Sequence, residues 1–112
     1  MATKNPQEPF TRISVAEARE KLQDDGVVQI VDVRTPEEYA GGHVPGASNI
    51  PHMAILPRSS ELAPDKELVF ICQLGQRSAL ACEFAAAAGF KELYNVEGGT
   101  EAWIKAGYGV EK

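Results

Sequence analysis

Two short apolar runs constrain the fold of this chain more than any other feature. "VVQIVDV" (residues 27–33) and "LVFI" (Leu68 to Ile71) are apolar almost without a break, and the first is rich in β-branched residues. A strand with one wet face alternates between apolar and polar. A run that does not alternate is covered on both faces, as the strands of parallel sheets are. Parallel strands cannot be joined by a tight hairpin and need a crossover, usually a helix.

The intervening stretches carry helix signals. Ser14 and Glu17 form a capping box, Val15, Ala18 and Leu22 recur at helical spacing, and Gly26 after Asp24-Asp25 is placed to end that helix. In "TPEEYAGG" Thr35 caps, Pro36 fits the first helical position, Glu38 completes a second box, and Gly41-Gly42 stop the helix. Pro45-Gly46 reads as a turn before a short strand around Ala47 to Ile50, and Met53 to Leu62 as a helix broken at Pro57. The alanine-rich stretch from Arg77 to Ala88 predicts a helix ended by Gly89. Glu92 to Val96 predicts a strand, and Thr100 to Ala106 a last helix. Thr11 to Ile13 reads as a short edge strand. Strands alternating with helices imply an α/β domain with a mainly parallel sheet and helices on both faces.

With 112 residues the chain is expected to form one domain, residues 10–112, after a flexible N-terminal tail, residues 1–9. "MATKNPQEPF" lacks the apolar centre of a signal peptide. The net charge of −5 and the absence of Lys or Arg runs argue against nucleic acid and anionic membrane as partners. No apolar run approaches the roughly 20 residues that span a bilayer. Two cysteines, Cys72 and Cys82, ten residues apart with a helix between them, make no disulfide framework. Reduced thiols and a cytoplasmic location are the expectation. The two histidines and two cysteines lack metal-ligand spacing, so no metal is expected.

Function turns on "ELVFICQLGQRSALAC" (Glu67 to Cys82). Ligand sites of open α/β sheets lie beyond the carboxyl ends of strands, where Cys72 is placed. Gln73, Leu74, Gly75 and Gln76 must curl tightly before the next helix, with Gly75 tolerating positive φ. Amides of such a curl converge into an anion-binding nest, helped by the positive end of the following helix. Arg77 adds a charge, and Ser78 a cap or a hydrogen bond into the loop. Such surroundings favour a thiolate and hence a nucleophile; a cysteine packed as a small hydrophobe is the plainer alternative.

"CQLGQRS", together with "VDVRTPEEYAGGHVPGASNIP" upstream and "NVEGGTEAW" downstream, resembles the single-domain rhodaneses, which are sulfurtransferases; the likeness runs from about Phe10 to Val110. The resemblance implies a rhodanese-like three-layer domain: a five-stranded, mainly parallel sheet with helices on both sides. It also implies a thiosulfate sulfurtransferase mechanism. The Cys72 thiolate takes a sulfane sulfur from thiosulfate or a persulfide donor, carries it as a persulfide, and passes it to cyanide, a thiol or a protein acceptor. No cofactor beyond that covalent persulfide is implied. Residues 73–78 would hold the persulfide.

Family loops often carry a basic residue just after the cysteine, where Gln73 and Leu74 are neutral. Arg77 is then the only charged side chain in the loop, and modest thiosulfate activity is expected, leaving a persulfide or protein donor as an alternative. Two other functions remain open. A phosphatase or arsenate reductase of the same fold would carry five residues between cysteine and arginine, against four here. A regulatory binding module would usually have lost the cysteine.

Asp32 and Arg34 end their strand on the edge that carries Cys72, and are expected to face alternate sides if both lie in the strand. Asp32 reads as a partner of loop amides or of an arginine, or as half of a strand-end ion pair. Arg34 reads as an attractor of an anionic donor or as a solvated side chain. Cys82 reads as a buried structural cysteine, with a resolving role as the alternative. His43 is expected to anchor its turn, Gly98-Gly99 to pass close to a neighbouring loop, and Trp103 to pack in the core or wall the site. Leu74, Met53 and Ile55 are candidates for an exposed apolar rim.

Overall fold

The computed structural model describes residues 2–24 and 26–112; Asp25, in the predicted helix stop, lies outside them. Among the described residues six strands form one sheet: β1 (Thr3–Lys4), β2 (Thr11–Ile13), β3 (Val28–Asp32), β4 (Ser48–Asn49), β5 (Glu67–Ile71) and β6 (Leu93–Val96). Their order is β1-β2-β6-β5-β3-β4, and every pairing is parallel except β1 with β2. The helices α1 (Val15–Lys21), α2 (Pro36–Ala40), α3 (Gln76–Ala87) and α4 (Gly99–Lys105) link or follow the strands.

The continuous apolar run of β5 is explained by its central place. Leu68, Phe70 and Cys72 point to one face, where they pack with Ala81, Cys82 and Ala85 of α3 and with Ile50 and Ile55. Val69 and Ile71 point to the other, against Ala18 of α1 and Trp103 of α4. This is the period-2 alternation of a strand with both faces buried. Small alanines on α3 let that helix lie close to the sheet and bring its first turn over the end of β5.

Both capping boxes form, Ser14 with Glu17 and Thr35 with Glu38. Short 3-10 turns at His52–Ala54 and Ser59–Glu61 flank Pro57, as the broken-helix reading predicts. Three details differ from expectation. The sheet has six strands rather than five, because part of the segment expected as a flexible tail (residues 1–9) pairs with β2: Thr3 is opposite Arg12 and Lys4 opposite Thr11. β2 is therefore not an edge strand. α1 ends at Lys21, and Gly26 (φ +81°) serves the turn into β3 instead of capping the helix. Among the described residues, no helix is long and apolar enough to cross a membrane.

Candidate active site

Cys72 follows β5 directly and is 1% exposed, at the base of the loop leading into α3. The direction of that loop's peptides is set by α4. The Cys72 carbonyl accepts hydrogen bonds from Thr100 N–H (2.8 Å) and Thr100 Oγ1 (3.0 Å), and the Gln73 carbonyl from Glu101 N–H (3.1 Å). The loop's carbonyls thus supply the capping acceptors for the first turn of α4, where no side chain does so. With those carbonyls turned toward α4, the Gly75 N–H turns inward and donates to Cys72 Sγ at 3.0 Å.

Two glycines permit this arrangement. Gly75 sits at φ +117°, as expected for the curl. Gly99 lies against the loop: a Cβ there would meet the Cys72 and Gln73 carbonyl oxygens at 2.5 and 2.6 Å. The close approach expected of Gly98-Gly99 is this contact.

α3 begins at Gln76 with Gly75 as N-cap and no side-chain cap. Its first amides, at Gln76, Arg77 and Ser78, have no partner within the helix, so the positive end of a three-turn helix is open beside the sulfur. Ser78 is buried, with Oγ 3.3 Å from Cys72 Sγ. Leu74 and Gln76 are exposed, and Gln73 is half-buried.

Arg77 does not place a free charge in the loop. Its Nη1 and Nη2 pair with both oxygens of Glu38, at 2.7 and 3.0 Å. Planar guanidinium and carboxylate match in this two-point geometry, which is why the pair wins over an aimless solvated arginine. Arg77 lowers the Glu38 carboxyl to about 2, aided by the Thr35 backbone and opposed by burial.

Asp32 and Arg34, two residues apart, share a face and pair with each other; the expectation of opposite sides is corrected, since strand side chains repeat every second residue. Arg34 Nη2 lies 2.7 Å from Asp32 Oδ2, and Asp32 Oδ1 also accepts from the Arg34 backbone N–H at 3.0 Å. The guanidinium further donates to the Gly42 carbonyl and to Gln73 Oε1 (3.2 Å). Arg34 is 4% exposed, so it is not a solvated side chain, and it braces the loop through Gln73. Asp32 makes the strand-end ion pair and not bonds to loop amides.

Cys82 is fully buried, and burial pushes its thiol far up. His43 anchors its turn as expected, with Nδ1 2.9 Å from the Tyr39 carbonyl, its ring stacked on Tyr39, and its backbone paired with Glu111. Trp103 is core, donating to the Gly109 carbonyl at 2.8 Å. Of the apolar rim, Leu74 and Met53 are exposed, but Ile55 is buried in the core under α3. Sequence reasoning missed Glu38, Asn95 and Thr100. The segment "NVEGGT" contains two of them, but only its glycines carried a local signal.

A family profile for the rhodanese-like domain matches residues 14–106. The chain belongs to the rhodanese-like domain family. The Bacillus subtilis protein YtwF is 45% identical over 92 residues, which is 81% of this chain and 87% of that one. A thiosulfate sulfurtransferase, GlpE of Pseudoalteromonas translucida, is 33% identical over 97 residues, covering 87% of this chain and 91% of its own. The crystal structure of a rhodanese-related protein from Thermoplasma volcanium superposes with a TM-score of 0.80 at 34% identity, covering 89% of this chain and 96% of its own. The matched segment runs from α1 through α4, and β1 and β2 lie ahead of it.

Proposed function

We infer that the protein is a sulfurtransferase that moves a sulfane sulfur through a persulfide on Cys72. The observation that carries this reading is the Gly75 N–H aimed at Cys72 Sγ, with the Cys72 and Gln73 carbonyls turned away into α4. The relatives named sulfurtransferases support it.

The Cys72 thiolate attacks the outer sulfur of thiosulfate. An S–S bond forms to Cys72, the S–S bond of thiosulfate breaks, and its electron pair leaves with sulfite. The outer persulfide sulfur carries the negative charge into the open amides of the first turn of α3, as an oxyanion hole holds an oxygen. A nucleophilic acceptor (cyanide, a thiol or a protein thiolate) then attacks that sulfur and releases the Cys72 thiolate. No general base is required once the thiol is ionised.

A phosphoryl-transfer function is disfavoured by the same geometry. Stabilising a transferring phosphoryl group calls for a cation at its equatorial oxygens, and Arg77 is engaged with Glu38. Arg34 is engaged with Asp32. With both cations opposed, capture of the thiosulfate dianion is expected to be weak, and a persulfide or protein donor suits the loop better.

The test is intact mass before and after incubation with thiosulfate or a low-molecular-weight persulfide, on the wild type and on Cys72→Ser. A gain of one sulfur, discharged by cyanide and absent from C72S, is expected. A wild type that gains no sulfur from either donor refutes the reading.

A further inference from the structure

Asn95 of β6 is fully buried and faces the start of α3. Its neighbours decide which way its amide points. Nδ2 lies 3.2 Å from the Gly75 carbonyl and 2.6 Å from Glu97 Oε2. Glu97 is in turn gripped by Arg12, whose Nη1 is 3.0 Å from both carboxylate oxygens. A carbonyl and a carboxylate only accept, so the NH2 group must face them. Oδ1 then faces Ser78 Oγ, to which it is hydrogen-bonded. An amide oxygen also only accepts, and a serine hydroxyl has one proton. That proton is committed to Asn95, and Ser78 presents only lone pairs to Cys72 Sγ, 3.3 Å away.

We propose that Asn95 is a positioning residue for Cys72: it makes Ser78 a hydrogen-bond acceptor, so that Ser78 stabilises the Cys72 thiol and not its thiolate. The proposal rests on the reading of Cys72 as the reacting sulfur. For the thiolate to gain the Ser78 hydroxyl, the proton must swing off Asn95 and leave Oδ1 buried and unpaired. A hydrogen bond to a charged group and the orphaning of a buried acceptor are comparable in size and opposite in sign. Ser78 therefore gives the thiolate little net support, and the Gly75 N–H is its fixed donor.

The charged and titratable groups around Cys72 leave this bond as the adjustable element. Arg77 of α3 is opposed by Glu38 of α2. Arg34 and Asp32, at the end of β3, oppose each other. Glu97 after β6 is opposed by Arg12 of β2. Cys82, further along α3, is a buried thiol.

The pH dependence of iodoacetamide alkylation at Cys72, followed by intact mass on the full chain, reads the thiolate without any sulfur donor. Its outcome is therefore separate from whether Cys72 carries sulfur. In Asn95→Leu the Ser78 proton is free to donate to the thiolate, and the midpoint is expected to fall by about half a pH unit or more. In Ser78→Ala the midpoint is expected to lie below that of the wild type or no more than about half a unit above it. The double variant is expected to match S78A. A larger rise in S78A overturns the proposal, because it shows Ser78 serving the thiolate. So does a folded N95L whose midpoint is unchanged or raised, or a double variant that stays as low as N95L. S78A, a small change at a buried site, decides the matter even if N95L does not fold.

Discussion

Replacing Gly99 by alanine perturbs the contact that turns the cysteine loop inward. The backbone there is left-handed, φ +59°, a conformation that costs an L-residue roughly 1–2 kcal/mol. The new Cβ would also stand 2.5 Å from the Cys72 carbonyl oxygen and 2.6 Å from that of Gln73. Close C···O contacts settle at about 3.3 Å, so loop and helix must separate by about 0.8 Å. The same two oxygens accept from Thr100 N–H, Thr100 Oγ1 and Glu101 N–H, at 2.8, 3.0 and 3.1 Å. A separation of that size takes all three past hydrogen-bonding distance, at roughly 0.5–1.5 kcal/mol each. With partial relaxation, strain and lost bonds together come to about 4 kcal/mol. Gly46→Ala isolates the strain, since its φ is +87° and a Cβ there meets nothing within 4 Å. Urea unfolding followed by Trp103 fluorescence, treated as two-state, compares the variants. G46A is expected to lose about 1–2 kcal/mol and G99A about 4. A G99A protein within about 0.5 kcal/mol of G46A refutes the claim that the loop's peptide direction is held by its contact with α4.

Glu38→Gln is expected to lower the thiosulfate KM several-fold by releasing Arg77, a change read in a cyanide-acceptor assay; an unchanged KM means that the charge of Arg77 does not reach the donor. The same variant tests acid stability. The Glu38 carboxyl is lowered in the folded state from 4.5 to about 2, chiefly by Arg77. Its stabilisation is therefore present above pH 4.5 and lost as the pH falls toward about 2. E38Q should be less stable than the wild type near neutrality and fall less steeply across that window in urea titrations. Native protein treated with iodoacetamide at pH 8 is expected to take one adduct, on Cys72, and two only in urea, because burial raises the Cys82 thiol while Cys72 Sγ accepts the Gly75 N–H at the open end of the loop. Cys82→Ala should load with sulfur as the wild type does; loss of loading restores a relay role for Cys82.

Local signals in the sequence carried much of the fold and the centre of the site. Capping boxes at Ser14 and Thr35, the non-alternating runs of β3 and β5, and the glycine after Cys72 are each set by neighbours within a few residues. Backbone sterics and helix-end chemistry act over that range, so the α/β class, the strand-end cysteine and the curl after it are legible from the residues themselves. The antiparallel β1 was not, because two residues carry no period and pair only through an edge that the rest of the sheet supplies.

Charge was the property the sequence could place least. Arg77 reads as the cation of the loop until Glu38, 39 residues earlier, arrives at its guanidinium. Arg34 reads as a surface arginine until Asp32 and Gly42 bury it. Asn95 and Thr100 show nothing in sequence, yet one fixes the direction of the Ser78 proton and the other the direction of the Cys72 carbonyl. Hydrogen-bond direction and ion pairing depend on which partner lies within about 3 Å. For residues far apart along the chain, only the packing of α2, α4 and β6 around the end of β5 decides that.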